Sequence, residues 1–232
     1  MEYHEFEPVY EAILVDFGFD RAADERARDI LAKLTEPFDL ERLRATRGST
    51  VAIAGAGPSL ETRDSLERAR GCDVVFGAST AVDTLEAHDI PVDCMVTDLD
   101  KNPETVVRLT ERGTPVAVHA HGDNIGAVRD VVPRCRLEYV LPTTQAAPAG
   151  PVRNPGGFTD GDRAAFLADA LGAGRLVFVG WDFEDTSVDS MKAKKLRWAR
   201  RLLYLLETRR NERFSVLDGH RESIDTSALS LE

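Results

Sequence analysis

Lysine is the scarcest charged side chain in this 232-residue sequence: Lys33, Lys101, Lys192, Lys194 and Lys195 are its five ammonium groups among 29 basic residues. Positive charge is short overall. Forty Asp and Glu leave a formal net charge of −11 at pH 7, which repels a phosphate backbone and disfavours a general DNA- or RNA-binding role. Cysteine is nearly missing. Cys72, Cys94 and Cys135 are widely spaced and odd in number, so they fit neither a zinc pattern nor a disulfide framework and read as small buried hydrophobes in a reducing compartment. No apolar run reaches the ~18 residues of a membrane-spanning helix. The opening Met1-Glu2-Tyr3-His4-Glu5 lacks the apolar core of an export signal. The expectation is a cytoplasmic protein with neither membrane nor nucleic acid as partner. Its length and 43% hydrophobic content suit one large domain, or one with a small appendage.

A lysine-poor, acid-rich composition is similar to that of proteins adapted to molar intracellular salt, where screening offsets self-repulsion. A GC-rich genome encoding an ordinary acidic protein is the alternative. Either way, three of the five lysines fall within 192–195, which suggests a local need for ammonium groups. Lys192 and Lys195 are neighbours on one helical face, fit to meet a polyphosphate or to form a solvated cationic face.

Residues 1–47 read as a helical N-terminal region, with helices over 5–17 and 21–34 and a short one over 40–45. It suits a cap or a dimerisation region. From residue 48 to 232 the pattern becomes strand–helix alternation. Short apolar runs at 51–54, 72–76, 94–96, 116–119, 137–141 and 176–179 alternate with helical segments at 60–69, 80–87, 104–112, 124–131 and 162–171. A long amphipathic helix over 190–209 follows, and 214–217 reads as a closing edge strand. This order predicts an α/β fold: a doubly wound, mostly parallel sheet with helices on both faces. The proline-rich stretch 142–157 reads as one irregular loop, a candidate lid or binding loop.

Thr97-Asp98-Leu99-Asp100 leaves the third strand of that sheet, where open α/β sheets bind ligands. Alternate residues leaving a strand share a face, so Asp98 and Asp100 can meet one ligand. Two hard oxygen donors suit Mg²⁺; a solvated acidic turn is the plainer reading. Gly55-Ala56-Gly57-Pro58-Ser59-Leu60 follows the first strand. Its glycines permit close approach to a phosphate, and Ser59 can cap a helix or donate to phosphate oxygen. The loop is neither a full dinucleotide fingerprint nor a Walker loop, and a tight turn explains its glycines equally. Gly77-Ala78-Ser79-Thr80 repeats the small-residue theme after the second strand. His119-Ala120-His121-Gly122-Asp123-Asn124 follows the fourth; it can orient substrate or phosphate, and Asp123 can cap the next helix. Zinc there lacks an evident third ligand. In Asn154-Pro155-Gly156-Gly157-Phe158-Thr159-Asp160-Gly161-Asp162-Arg163, the glycines allow a turn near a ligand, Phe158 can stack on a planar ring or pack at the rim, and Asp162 suits a helix cap. Gly180-Trp181-Asp182-Phe183 adds a carboxylate among aromatic side chains.

Taken in order, the Gly55, Asp98, His119 and Gly156 motifs resemble those of the archaeal 6-hydroxymethyl-7,8-dihydropterin pyrophosphokinase family. That family is similar to thiamin pyrophosphokinases in its nucleotide-binding part, where an Asp-x-Asp loop binds Mg²⁺. The resemblance runs from about residue 48 to 217. Lys101 departs from it, standing where many members have glycine. The resemblance implies transfer of diphosphate from ATP to a reduced pterin, feeding tetrahydromethanopterin or folate synthesis. It implies Asp98 and Asp100 as metal ligands; Asp123, a third carboxylate at the same edge of the sheet, is the candidate to orient or deprotonate the attacking hydroxyl. ATP contacts would come from Gly55, Gly57, Ser59, Ser79, His121, Asn124, Lys192 and Lys195. Pterin contacts would come from Asn154, Gly157, Phe158, Thr159, Asp160 and Asp182. A thiamin-type pyrophosphokinase, a nucleotide-sugar glycosyltransferase and a non-catalytic nucleotide-binding module are the competing readings, separated by whether AMP is released.

Overall fold

The computed structural model describes residues 1–229. Six strands, β1 (Thr50–Ala54), β2 (Val74–Ala78), β3 (Cys94–Thr97), β4 (Val116–Ala120), β5 (Val140–Thr144) and β6 (Arg175–Val179), form one sheet in the order β5-β4-β3-β2-β1-β6. Every pairing is parallel. The chain steps outward from β1 to β5 through α3 (Arg63–Arg70), α4 (Ala81–Ala87), α5 (Pro103–Glu111) and α6 (Ile125–Val131). It then returns along α7 (Asp160–Ala170) to place β6 on the other side of β1. The connections after β1 and β6 therefore diverge, and a crevice opens at the carboxyl ends of these two strands.

Alternation along the strands sorts the core into two faces. Val51, Ile53, Phe76, Val96 and Phe178 pack with α7, with α1 (Tyr3–Phe17) and with α8 (Ser190–Arg210). On the other face, Ala52, Ala54 and Val75 meet α3 and α4, while Met95, Val118 and Val140 meet α5, α6 and α2 (Arg21–Leu34). The N-terminal helices have no core of their own. Phe6, Val9 and Ile13 of α1 join the first cluster, and Ala27 and Leu31 of α2 join the second. Cys94 and Cys135 are buried and Cys72 half-buried, all three free. No helix among the described residues is long and apolar enough to cross a membrane.

Three expectations need correction. Residues 214–217 form no strand; Ser215–Leu217 is a 3-10 turn. Its backbone is claimed elsewhere: the Phe214 N–H donates to Glu207 and the Phe214 carbonyl accepts from Arg221 at 2.7 Å. The helix expected over 60–69 splits into a 3-10 turn, Pro58–Glu61, and α3, whose N-cap is Thr62. The stretch 142–157 is not wholly irregular, since Pro142 lies inside β5, the edge strand, where a residue without an N–H is tolerated. Its carbonyl accepts the Arg153 N–H at 2.9 Å, and the Arg153 carbonyl accepts the Thr144 N–H at 2.9 Å, so a return of the chain covers part of this edge.

Candidate functional site

A cleft of about 410 Å³ lies across the carboxyl ends of the strands. It gathers Gly55, Gly57, Ser79, Asp98, Asp100, His121, Phe158, Thr159, Asp160, Asp182, Lys192 and Lys195 from seven separate segments. Ser59, Asp123, Asn124, Asn154 and Gly157 do not line it.

Asp98 and Asp100 converge, though not by strand alternation. Leu99 adopts a left-handed backbone, φ 70°, and its side chain is buried with α5 and α6. The Leu99 N–H donates to Thr97 Oγ1 at 3.0 Å and the Asp100 N–H to Asp98 Oδ1 at 3.3 Å. A tight turn, held by a buried leucine in a conformation costly for L residues, sets the pair. Burial disfavours charge on Asp98, yet its contact with His121, the nearby Arg163 charge and Asp100 hold its carboxyl well below the usual range. Partial desolvation and Asp98 push Asp100 upward. Such a pair, two close carboxylates whose charges disfavour each other, fits a divalent cation that would offset the repulsion. No group of three or more His, Cys, Asp or Glu poised to hold a metal occurs among the described residues. Two carboxylates with open positions match Mg²⁺, which keeps water and takes phosphate oxygens as its other ligands.

Around this pair the β4 and β5 loops are tightly bonded. His121 Nε2 lies 3.5 Å from Asp98 Oδ2. Asn124 Nδ2 donates to the Asp98 and His119 carbonyls at 2.8 and 2.7 Å, and its Oδ1 accepts the His121 N–H at 2.9 Å. Asn124 thus staples two loops from within the protein. Asp123 is exposed, and no side-chain cap bond starts α6. His119 is buried beside Thr143, with Nδ1 3.2 Å from its hydroxyl. Burial, then the Arg163 and His121 charges, lower its pKa well below the ordinary value and keep it neutral. The two imidazoles turn to different partners, Asp98 and Thr143.

Thr159 and Asp162 form a capping box at the start of α7, Thr159 Oγ1 donating to Asp162 Oδ2 at 2.6 Å. That cap frees Asp160 for the cleft. Asp160 is largely buried and its pKa is pushed up to about 7 by burial and the Asp98 charge, against Arg163 at 3.1 Å. Gly157, at φ 93°, lets the chain pass where a Cβ would lie 2.6 Å from the Arg163 Cα. Asn154 Nδ2 holds the Gln145 and Ala146 carbonyls at 2.9 Å each, away from the cleft. Phe158 is mostly core, its ring 5.0 Å from that of Phe17.

At the other end, the glycines serve loop-to-loop contact. A Cβ on Gly55 would come within 2.6 Å of the Gly180 carbonyl, and one on Gly57 within 2.8 Å of the same oxygen. Ser59 is not a helix cap: its N–H and Oγ–H donate to Asp182 Oδ2 at 2.9 and 2.8 Å. The lysine cluster divides. Lys192 and Lys195 line the cleft from the start of α8, whereas Lys194 pairs with Asp16 at 2.9 Å and ties α8 to α1. Lys101, also at the cleft, lies 3.4 Å from Asp100.

Among the cleft residues outside the predicted site set, Gln145 and Arg163 are polar and buried. Arg163 is 5% exposed and bonds Gln145 Oε1 at 3.1 Å. The available signal was an arginine one turn into a helix with apolar neighbours, a place that requires buried partners.

Residues 27–188 match the family model described as 6-hydroxymethylpterin diphosphokinase MptE-like. The chain is 40% identical over 217 residues to the 6-hydroxymethyl-7,8-dihydropterin pyrophosphokinase of Methanothermobacter thermautotrophicus, covering 85% of this chain and 92% of the relative. The enzymes of the same name from Pyrococcus furiosus and Methanocaldococcus jannaschii are 36% and 34% identical, over 94% and 89% of this chain and 99% and 96% of theirs. With the site motifs gathered in one cleft and these identities sustained along most of each sequence, the chain belongs to the 6-hydroxymethylpterin diphosphokinase MptE-like family.

Proposed function

We propose that this protein transfers diphosphate from ATP to the hydroxymethyl group of 6-hydroxymethyl-7,8-dihydropterin, with Mg²⁺, releasing AMP. One observation carries the reading: the Asp98–Asp100 pair shares a cleft with Lys192 and Lys195 in a chain 40% identical to a pyrophosphokinase of that name. Asp98 and Asp100 would hold Mg²⁺, which would supply Lewis-acid stabilisation of the charge that develops on the phosphates. Lys192 and Lys195 donate charge-assisted hydrogen bonds to the same polyphosphate. The acceptor hydroxyl oxygen attacks the β-phosphorus, and the bond from that phosphorus to the α,β-bridging oxygen breaks, its electron pair leaving on AMP. The hydroxyl proton passes to the Asp160 carboxylate in its deprotonated form rather than to Asp123, because Asp160 lines the cleft and its pKa, pushed up to about 7, makes it a stronger base than an ordinary aspartate. The remaining contribution is positioning and electrostatic stabilisation. The product would serve tetrahydromethanopterin or folate synthesis in the cytoplasm.

Incubation with ATP, Mg²⁺ and the pterin should release AMP and pterin diphosphate, and a chelator should stop it. Release of ADP, pterin-independent AMP formation, or preference for thiamin would overturn the assignment.

A further inference from the structure

Asp24 is a carboxylate on the buried stripe of α2. It is 3% exposed and shares that stripe with Ala27 and Leu31. A charge there is costly unless its oxygens are saturated. Oδ1 accepts the Gly122 N–H at 2.8 Å; Oδ2 accepts from Tyr10 Oη and Gln145 Nε2, each at 2.8 Å. The other end of Gln145 accepts from Arg163 Nη2 at 3.1 Å, and Arg163 Nη1 donates to Asp160 at 3.1 Å. Gln145, Arg163 and Asp160 all line the cleft. Gly122 directly follows His121, the neighbour of Asp98.

A separate packing observation supports the same grip. A Cβ on Gly122 would lie 2.7 Å from the Ala23 Cβ, so α2 presses on this loop too closely for any side chain. One turn further on, Arg28 donates to the Ala147 carbonyl at 2.9 Å.

We propose that Asp24 is a positioning residue for diphosphate transfer, acting from the N-terminal region through Gln145 and Gly122; this rests on the function proposed above. The chemistry lies in donor polarity. A carboxylate only accepts, so Gln145 must turn its NH₂ toward Asp24 and its carbonyl toward Arg163. That fixes the guanidinium beside Asp160. An amide at position 24 removes the constraint: Gln145 can then flip and set its NH₂ against the guanidinium, donor to donor. The bond to Gly122 holds the His121 loop in register with the same anchor.

The test compares wild type, Asp24→Asn, Gln145→Met, the double variant, and Ile13→Val, a core change in α1 away from the chain of bonds. AMP release is measured well below every melting midpoint. Asp24→Asn and Gln145→Met should each lower kcat by ~10-fold or more, the scale of a misplaced catalytic group, with KM for ATP moving by less than ~3-fold. The double variant should be no worse than the poorer single one, as for residues in one network. Ile13→Val should lower the melting midpoint and spare kcat. Wild-type kcat in folded Gln145→Met, or losses that multiply in the double variant, would overturn the proposal. If Asp24→Asn does not fold, Gln145→Met decides alone. An inactive wild type would sink the functional reading instead. Hydrogen exchange then judges the positioning by itself: Asp24→Asn, or Gln145→Met in its place, should speed exchange at the start of α7 and Ile13→Val should not. Unchanged exchange there would overturn it.

Discussion

The two ends of the cleft are built on opposite plans. At the β3–β5 end, polar groups are bonded within the chain: Asn124 ties three backbone groups, and Arg163 is held between Asp160 and Gln145. At the β6–β1 end, glycine backbones touch, and the cations stand apart. Lys101 and Lys194 have carboxylate partners, but no ion pair of Lys192 or Lys195 occurs among the described residues. On the function proposed above, the bonded end would be pre-organised for Mg²⁺ and the reacting hydroxyl. The other end keeps its ammonium groups free for a ligand's charge.

The largest test of this contrast is at the bonded end. Asp98→Asn and Asp100→Asn should each lower turnover by ~10²-fold or more, about 2.7 kcal/mol of transition-state stabilisation. Near-wild-type rates for both at limiting Mg²⁺ would remove the metal from the site. At the open end, Lys192→Ala or Lys195→Ala should weaken ATP binding or turnover by ~10-fold or more, since a charge-assisted hydrogen bond is worth ~1.5–3 kcal/mol. Neither should lower the melting midpoint. Lys194→Ala should do the reverse, losing the tie to Asp16 while sparing ATP affinity. Titration calorimetry with ATP and thermal melts separate the three; equal effects would dissolve the distinction.

A smaller effect comes from two buried groups of opposite sign. His119 stays neutral in the fold, while an unfolded histidine takes a proton below about 6.5, so its contribution to stability is lost as pH falls. Asp160 holds its proton from about 7 downward, while an unfolded aspartate does so only below about 3.9, so its contribution is gained as pH falls. Between about pH 4 and 6.5 the two oppose each other. Relative to wild type, His119→Gln should gain stability on acidification and Asp160→Asn should lose it, each by at most ~1.4 kcal/mol per pH unit. Melting midpoints across this window that run parallel in all three proteins would contradict it. The smallest effect is global. With a net charge of −11, the melting midpoint should rise from low to molar KCl as repulsion is screened; a flat or falling midpoint favours an ordinary acidic protein.

Local pattern was enough for the parallel sheet and its six strands, since short apolar runs separated by helical periods leave few alternatives, but it set the fifth strand three residues early and added one at 214–217 that does not form. It was also enough to mark the loops that carry Asp98, His121 and Asp160. It could not give reasons that depend on distant neighbours. Gly55 and Gly57 read as phosphate-loop glycines, and only β6 placed beside β1 shows that their missing side chains also make room for Gly180. Asp98 and Asp100 share a ligand-facing side through the left-handed Leu99, which nothing in an Asp-Leu-Asp string announces. Asp24 was visible as an acid three residues before Ala27 and seven before Leu31, on the same stripe. Its meaning required Tyr10, Gly122 and Gln145 to come together.

Pro142 has a consequence for how these molecules meet one another. It brings no N–H to the outer rim of β5, and the Arg153 backbone already occupies its carbonyl and the Thr144 N–H. An exposed parallel edge invites strand addition by another chain, the route to aggregation. Here that route is blocked along part of the rim by the covalent structure of one residue and a fold-back of the chain. At high protein concentration, contact at this rim therefore lacks a continuous ladder to extend. Strand addition at this edge would have to begin beyond the part that Arg153 covers.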